Sequence, residues 1–285
     1  MHAPTTPAPL AAAARWRMPV LVKASGALHL GAAAAVIAAP AVWPWALGAV
    51  AINHALVTAT GLWPRSTWLG PNLRRLPDAS AARGEISLTI DDGPDPEVTP
   101  AVLDLLDEAQ ARATFFCIAA QAEAHPQLCR EIVRRGHSVQ NHSHRHAHTF
   151  SISGPRAIRS EIERAQETIA QITAQRPRFF RAPAGLRNPF LDPVLFDLGL
   201  QLVSWTRRGF DTMRGDPADV LARLTRALSA GDILLLHDGN AARTAGGRAV
   251  LLDVLPALLK RFEDARLRAV TLPEAMPITQ PAAGA

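Results

Sequence analysis

Ile86-Ser87-Leu88-Thr89-Ile90-Asp91-Asp92-Gly93-Pro94 reads as a short apolar strand that runs into two adjacent carboxylates and a Gly-Pro turn. Successive strand side chains point to opposite faces, so Asp91 and Asp92 can serve one site only where the strand gives way to a turn, which Gly93-Pro94 supplies. One carboxylate can then bind a metal while its neighbour acts as a base. An acidic turn with a solvated Asp pair is the plain alternative. Outward from this stretch, further short apolar runs fall at 113–118, 137–141, 178–181, 201–205, 233–236 and 268–272. Between them, 100–110, 121–135, 155–175, 190–198, 217–229 and 248–263 have helical composition and period. Seven strands, the first at 86–90, that alternate with helices predict an α/β fold with a parallel sheet. The run Ile233-Leu234-Leu235-Leu236 is apolar throughout, as in a strand covered on both faces. An open doubly wound sheet and a closed or distorted barrel share this pattern.

Toward the N-terminus the character changes. Residues 24–64 form a run of 41 without Lys, Arg, Asp or Glu. As one helix it would be roughly 60 Å long, about twice the thickness of a bilayer's hydrocarbon core. Midway, Pro40 and Pro44 interrupt the helix and Trp43 and Trp45 suit a membrane surface. The segment therefore predicts a two-helix transmembrane hairpin with spans at 24–42 and 45–63, a tail at 1–23 and a linker at 65–84. The catalytic domain is expected at 85–275 and a second tail at 276–285. Arg15, Arg17 and Lys23 precede the hairpin and Arg65, Arg74 and Arg75 follow it. The positive-inside bias places both ends and the domain on the cytoplasmic face of the cytoplasmic (inner) membrane. A signal sequence, or one span with an apolar packing helix, is the competing reading. His29 and His54 fall inside the spans and receive no role.

Composition narrows the class. With 285 residues, 48% hydrophobic and 19% charged, the chain can build one enzyme-sized core plus an appendage, which excludes disordered and collagen-like proteins. The net charge of +5 belongs to the N-terminal segment: residues 1–84 carry seven Lys/Arg against Asp78, whereas the remainder holds 23 basic and 24 acidic residues. A nucleic-acid partner is not expected, because the folded domain has no basic excess. Cys117 and Cys129 support neither a disulfide framework nor a cysteine zinc site and read as small buried hydrophobes.

Three more clusters sit at strand ends, where the loops of parallel α/β folds build active sites. Asn141-His142-Ser143-His144-Arg145-His146-Ala147-His148 offers imidazoles four residues apart, which can share one face of a helical turn and bind zinc. Spacing alone leaves His142/His146 and His144/His148 equally open. Arg181-Ala182-Pro183-Ala184-Gly185 and Leu235-Leu236-His237-Asp238-Gly239 would each pass as structural in isolation. In this order, together with the Asp pair, they resemble the polysaccharide deacetylase family, metal-dependent N-deacetylases that share the NodB homology domain (carbohydrate esterase family 4 type).

The resemblance covers about residues 85–272. TIDDGP is similar to the family's TFDDGP, HSHRH to HSxxH, RAPAG to RPPYG and LLLHD to its LxH motif. A further motif is partly present between Trp205 and Asp211-Thr212. It implies a distorted (β/α)7 barrel of NodB type, here behind the transmembrane hairpin, and a divalent metal, for which zinc is the expectation. Position by position, it implies that Asp92, His142 and His146 hold the metal. Asp91 would be the general base, and His237 the acid for the departing amine. Arg181 would orient Asp91, and Asp211 would keep His237 cationic. The Ala184 backbone N–H would bind the oxyanion, and Leu235 would line the pocket for the acyl methyl.

Departures from the family pattern cluster where substrate is recognised. Ala184 replaces an aromatic, Thr212 a Trp and Arg208 an Asp. Lost aromatic faces argue against a long-glycan groove, while Arg187, Arg207 and Arg208 would add positive charge suited to phosphate, unless they are solvated surface residues. The expected protein is a membrane-anchored, metal-dependent N-deacetylase. It would hydrolyse the amide of an N-acetylated or N-formylated amino sugar on a glycan or, preferably, a lipid-linked sugar. Its rivals are a periplasmic, tethered deacetylase of peptidoglycan or exopolysaccharide, and an inactive glycan-binding module on the membrane.

Overall fold

The computed structural model describes residues 15–277, so most of the expected tails at 1–23 and 276–285 lies outside the described residues. The sheet contains β1 (Glu85–Asp91), β2 (Ala113–Cys117), β3 (Ser138–Asn141) and β4 (Phe179–Phe180). It continues with β5 (Gln201–Leu202), β6 (Arg207–Arg208), β7 (Ile233–His237) and β8 (Arg268–Ala269). Every pairing is parallel, in the order β5-β4-β3-β2-β1-β7-β6, with β8 against the start of β1. The sheet curls into a distorted (β/α)7 barrel. All seven expected strands form, and β6 is an addition: two arginines make no apolar run, and only the backbone of β7 recruits them.

β5 and β6 are four residues apart in the chain yet stand at opposite ends of the strand order, so the barrel's seam lies between them. Open strand edges need partners. The stretch 65–84, expected as a linker, supplies them and is part of the folded body. Leu73 N–H donates to Leu202 O at 2.9 Å, Ser204 N–H to Leu73 O at 2.8 Å and Leu76 N–H to Gly231 O at 2.8 Å. Leu69 and Leu76 are buried in the process.

Period-two alternation sorts the strand side chains. Ile86, Leu88 and Ile90 of β1, with Leu234 and Leu236 of β7, enter the large core beneath the helices. Ser87, Thr89 and Asp91, with Leu235 and His237, take the other parity and face the barrel interior. Helices Thr99–Glu108, Pro155–Thr173, Leu191–Asp197, Pro217–Thr225 and Val250–Asp264 fall where the periodicity predicts them. The single helix expected over 121–135 is instead two, Ala119–Ala124 and Pro126–Arg134. Pro126 is the break: it has no N–H to continue the first helix and a φ that suits the first turn of the second. Both cysteines are free and buried, as expected.

Ahead of the barrel, α1 (Val20–Ala38) and α2 (Trp43–Gly61) pack as a hairpin around a turn at Pro40–Val42. Pro44 lies inside the first turn of α2, where its missing N–H costs nothing, so the second helix begins at Trp43. At 19 residues each, the helices are about 28 Å long, close to a bilayer core. Much of their apolar surface has no protein cover: Val20 is 81% exposed and Ile37 82%. Between them, Asn53 Nδ2 donates to Ser25 Oγ at 2.7 Å, and the Nε2 atoms of His29 and His54 meet at 3.1 Å. These polar contacts join the two helices across the hairpin.

Candidate active site

Because the strands are parallel, their carboxyl ends form one rim, and the register sets the chemistry along it. Asp91 at the end of β1 pairs directly with His237 at the end of β7. Asp92 follows at φ 75°, a left-handed conformation unusual for a non-glycine residue. Asp92 itself therefore makes the reversal that brings both carboxylates to one side, rather than Gly93-Pro94 alone. Gly93 is needed for another reason: a Cβ there would collide with the Asp238 carboxyl.

The segment after β3 is not a helical turn. It is a loop in which Ser143 (φ 65°) and His146 (φ 52°) are left-handed, and this bend brings His146 back beside His142. Their ring centroids are 4.8 Å apart. His142 Nε2 lies 3.3 Å and His146 Nε2 3.4 Å from Asp92 Oδ1. The three ligand atoms lie within 4.8 Å of one another. Of the two pairs left open by spacing, His142/His146 is the one beside Asp92; His144 and His148 do not join this cluster. His142 Nδ1 donates to Arg181 O at 2.8 Å, which leaves its Nε2 lone pair facing Asp92.

Asp92 Oδ1 is buried with no hydrogen-bond partner, while Asn240 Nδ2 donates to Oδ2 at 3.3 Å. An orphaned buried carboxylate oxygen is costly, and two imidazole nitrogens with one carboxylate form a zinc-type donor set, so the residues fit a divalent cation. Burial opposes the charge on Asp92, but His142, with His237 and His146 beyond, holds its pKa well below the usual carboxylate range. These histidines respond in opposite senses: burial opposes charge on both, yet Asp91 and Asp92 raise the pKa of His142, whereas that of His146 is lowered by burial and by His142.

Asp91 Oδ1 receives Arg181 Nη1 at 2.6 Å, and its other oxygen, Oδ2, lies 3.7 Å from His142 Nε2. Arg181 is the largest fully buried side chain among the described residues. It also donates to Thr89 Oγ1 at 2.7 Å and to Ser204 O at 3.0 Å, and its guanidinium lies 4.2 Å over the Phe116 ring. Burial lowers its pKa, with Asp91 working in the opposite sense. Across the cleft, both oxygens of Asp211 hold His237, Oδ1 on Nδ1 at 2.9 Å and Oδ2 on the backbone N–H at 2.7 Å. Burial works against the imidazolium of His237, but Asp211, helped by Asp91 and Asp92, raises its pKa above the ordinary value.

Asp91, Asp92, His142, His146, Leu235 and His237 all line one cleft of about 530 Å³. Ala184 stands exposed on its wall at φ 53°, in the turn Pro183–Gly185. Thr212, Trp205 and Arg208 line it as well. Arg187 does not. It is buried, and its guanidinium donates to the carbonyls of Ser66 and Gly70 while its backbone N–H donates to Gly61 O at 3.1 Å. Burial lowers its pKa to about 10. It is a strut between the active-site wall and the end of α2, which corrects the expectation that it charges the mouth. Trp16 Nε1, donating to Asp192 Oδ2 at 2.8 Å, ties the other end of the hairpin to the same wall.

One residue escaped the sequence reading although its motif was noted. Asp238 is fully buried, and burial pushes its pKa up to about 7. Its carboxylate accepts Thr99 Oγ1 at 2.5 Å and Gly239 N–H at 3.0 Å, and so backs the turn that carries Asp92. The apolar strand before it was the only available signal, since the partner, Thr99, is 139 residues away.

Known proteins resemble this chain in sequence and in fold. Residues 78–203 match the family model described as polysaccharide deacetylase. A peptidoglycan-N-acetylglucosamine deacetylase of Bacillus cereus is 32% identical over 197 residues, 68% of this chain and 87% of the relative. A chitooligosaccharide deacetylase of Sinorhizobium fredii is 34% identical over 168 residues, 59% of this chain and 78% of the relative. Among solved structures, the family 4 carbohydrate esterase from Streptomyces lividans in complex with acetate superimposes with a TM-score of 0.59 at 31% identity. The match covers 65% of this chain and 91% of that one.

Proposed function

The chain belongs to the polysaccharide deacetylase family and is a carbohydrate N-deacetylase; from that premise we propose that it is membrane-anchored and metal-dependent, and that it removes the acyl group of a lipid-linked amino sugar. The observation that carries the catalytic reading is the convergence of Asp91, Asp92, His142, His146 and His237 in one cleft. The anchor reading rests on two helices long and apolar enough to cross a membrane, held to the wall of that cleft by Arg187. A soluble glycan could reach such a site as readily. Tethering instead raises the local concentration of a substrate that shares the bilayer.

When held by Asp92, His142 and His146, a divalent cation, by its donor set zinc, supplies Lewis acidity to the amide carbonyl and to the attacking water. Asp91 takes the proton from that water at Oδ2, the oxygen that Arg181 leaves open. The Ala184 backbone N–H donates to the developing oxyanion. His237, anchored through Nδ1 by Asp211, delivers a proton from Nε2 to the departing nitrogen, since an amine anion is a very poor leaving group. Leu235 meets the acyl methyl. Full-length protein incubated with an N-acetylated amino sugar on a polyprenyl phosphate should release acetate, and release of formate from the N-formyl analogue decides between the two acyl groups. No acetate from the lipid-linked sugar, alongside rapid release from chitooligosaccharides, would overturn the lipid-linked reading.

Two further expectations arise here. Activity needs protonated His237, so it falls as the pH rises through that residue's raised pKa. Asp211→Asn removes the charge that raises it, and the alkaline limb of kcat/KM moves to lower pH; an unmoved limb would remove His237 as the acid. The catalytic domain is on the cytoplasmic face of the inner membrane. A C-terminal reporter active only in the cytoplasm should therefore be on, and its counterpart active only outside should be off. The reverse result would refute the two-span topology and favour a periplasmic polymer as substrate.

A further inference from the structure

Next to the catalytic cleft, and sharing Trp205 and Arg208 with it, lies a second cavity of about 580 Å³. It begins at Trp63, Pro64 and Arg65, the residues that leave the end of α2, and runs to β6 and to Arg226. No carboxylate lines it among the described residues. Two of its arginines are neutralised from behind, Arg207 by Asp232 at 3.0 Å and Arg223 by Asp219 at 3.0 Å. Arg65, Arg208 and Arg226 have no carboxylate within ion-pair distance among the described residues. Arg208 is the junction. Its guanidinium lies 5.3 Å over Trp205 and 4.8 Å over Phe210, and its Nε is buried without a hydrogen-bond partner. An arginine packed against two rings keeps its fork preorganised, and a buried unsatisfied N–H donor is a cost that an anion removes.

We propose that this cleft binds the phosphate or pyrophosphate that joins the substrate's sugar to its lipid, with Arg208 handing the sugar on to the deacetylation site. The assignment rests on the deacetylase reading above and extends it to a substrate class. The cleft opens where the chain leaves the hairpin, so an isoprenoid tail can remain in the bilayer. Its aromatic and guanidinium lining suits a diphosphate and an isoprenoid neck, and the acylated sugar then extends toward His237. Anionic bilayer headgroups share this chemistry, and the test separates the two.

Full-length protein in nanodiscs of phosphatidylcholine should bind farnesyl pyrophosphate, measured by calorimetry. Arg208→Gln and the exposed Arg226→Glu should each weaken binding by about tenfold, the worth of a lost charge-assisted contact to phosphate. In acetate-release assays, kcat/KM for N-acetylglucosamine diphospholipid should fall at least about tenfold more in these variants than kcat/KM for the uncharged octyl N-acetylglucosaminide. Equal falls on both substrates, or no farnesyl pyrophosphate binding by the wild type, would overturn the proposal. So would loss of that binding when phosphatidylglycerol replaces phosphatidylcholine, because the arginines would then hold bilayer headgroups. Farnesyl pyrophosphate binding with no acetate from either substrate would support the anion site and refute the deacetylase reading.

Discussion

Asp91→Asn is expected to abolish turnover while leaving the metal in place, and His142→Ala to lose both. The two residues are 3.7 Å apart at their nearest polar atoms, yet the chemistry gives them different duties. Asn at 91 can still accept the Arg181 hydrogen bond at Oδ1 but cannot take a proton from water, so the site keeps its shape without its base. A loss of general-base catalysis is worth about 10²–10⁴-fold. At 142, alanine removes one of three ligand atoms and the Nδ1 contact to Arg181 O that aims the ring. Metal content by mass spectrometry and acetate release, measured on the same preparations, read the two effects separately. Metal loss from Asp91→Asn, or full activity in it, would break the division of labour between the adjacent carboxylates.

Arg181→Met is expected to cost stability as well as activity. The guanidinium and Asp91 are both buried, and the pair is joined by the 2.6 Å contact and by Thr89 and the Ser204 carbonyl. Removing one partner of a buried ion pair leaves the other charge uncompensated, which costs about 3–5 kcal/mol. For a domain of this size that lowers the unfolding midpoint by on the order of 10 °C. The remedy is diagnostic. In an Asp91→Asn background the same Arg181→Met change should cost much less, because no carboxylate is stranded, and the double-mutant cycle measures the coupling. An equal cost in both backgrounds would mean that Arg181 stabilises by packing on Phe116 rather than by pairing.

Legibility in the sequence followed the range of the interactions involved. The strands of the barrel were readable because alternation and apolar runs are local: Ile86, Leu88 and Ile90 announce the covered face of β1 by spacing alone. The hairpin was readable for the same reason, since a charge-free run with prolines in the middle is a property of consecutive residues. β6 was missed because Arg207 and Arg208 carry no strand signal of their own, and the linker was misjudged because residues 73–76 are ordered only by the seam they fill. Arg187 looked like a surface charge because the carbonyls that bury it belong to residues 66 and 70, more than a hundred positions earlier.

The site divides in the same way. Residue type at a strand end was enough to single out Asp91 and Asp92, whereas Arg181, Asp211 and His237 were singled out by the ordered motifs that resemble the polysaccharide deacetylase family. Spacing did not say which histidines meet Asp92; the family resemblance implied His142 and His146, and the structure brings those two beside it. Spacing treats His142/His146 and His144/His148 alike; the left-handed backbone at Asp92, Ser143 and His146 does not. Those conformations are unfavourable locally and persist because distant contacts hold them, among them Asp238 and Thr99 behind the Asp92 turn. Local pattern in the sequence determined the alternation of strands with helices and the two apolar helices, while the barrel and the motif residues came from the family resemblance. Tertiary structure decided the meeting of Asp92 with His142 and His146, the strut through Arg187 and the cleft around Arg208, since each depends on atoms brought together from positions far apart in the chain.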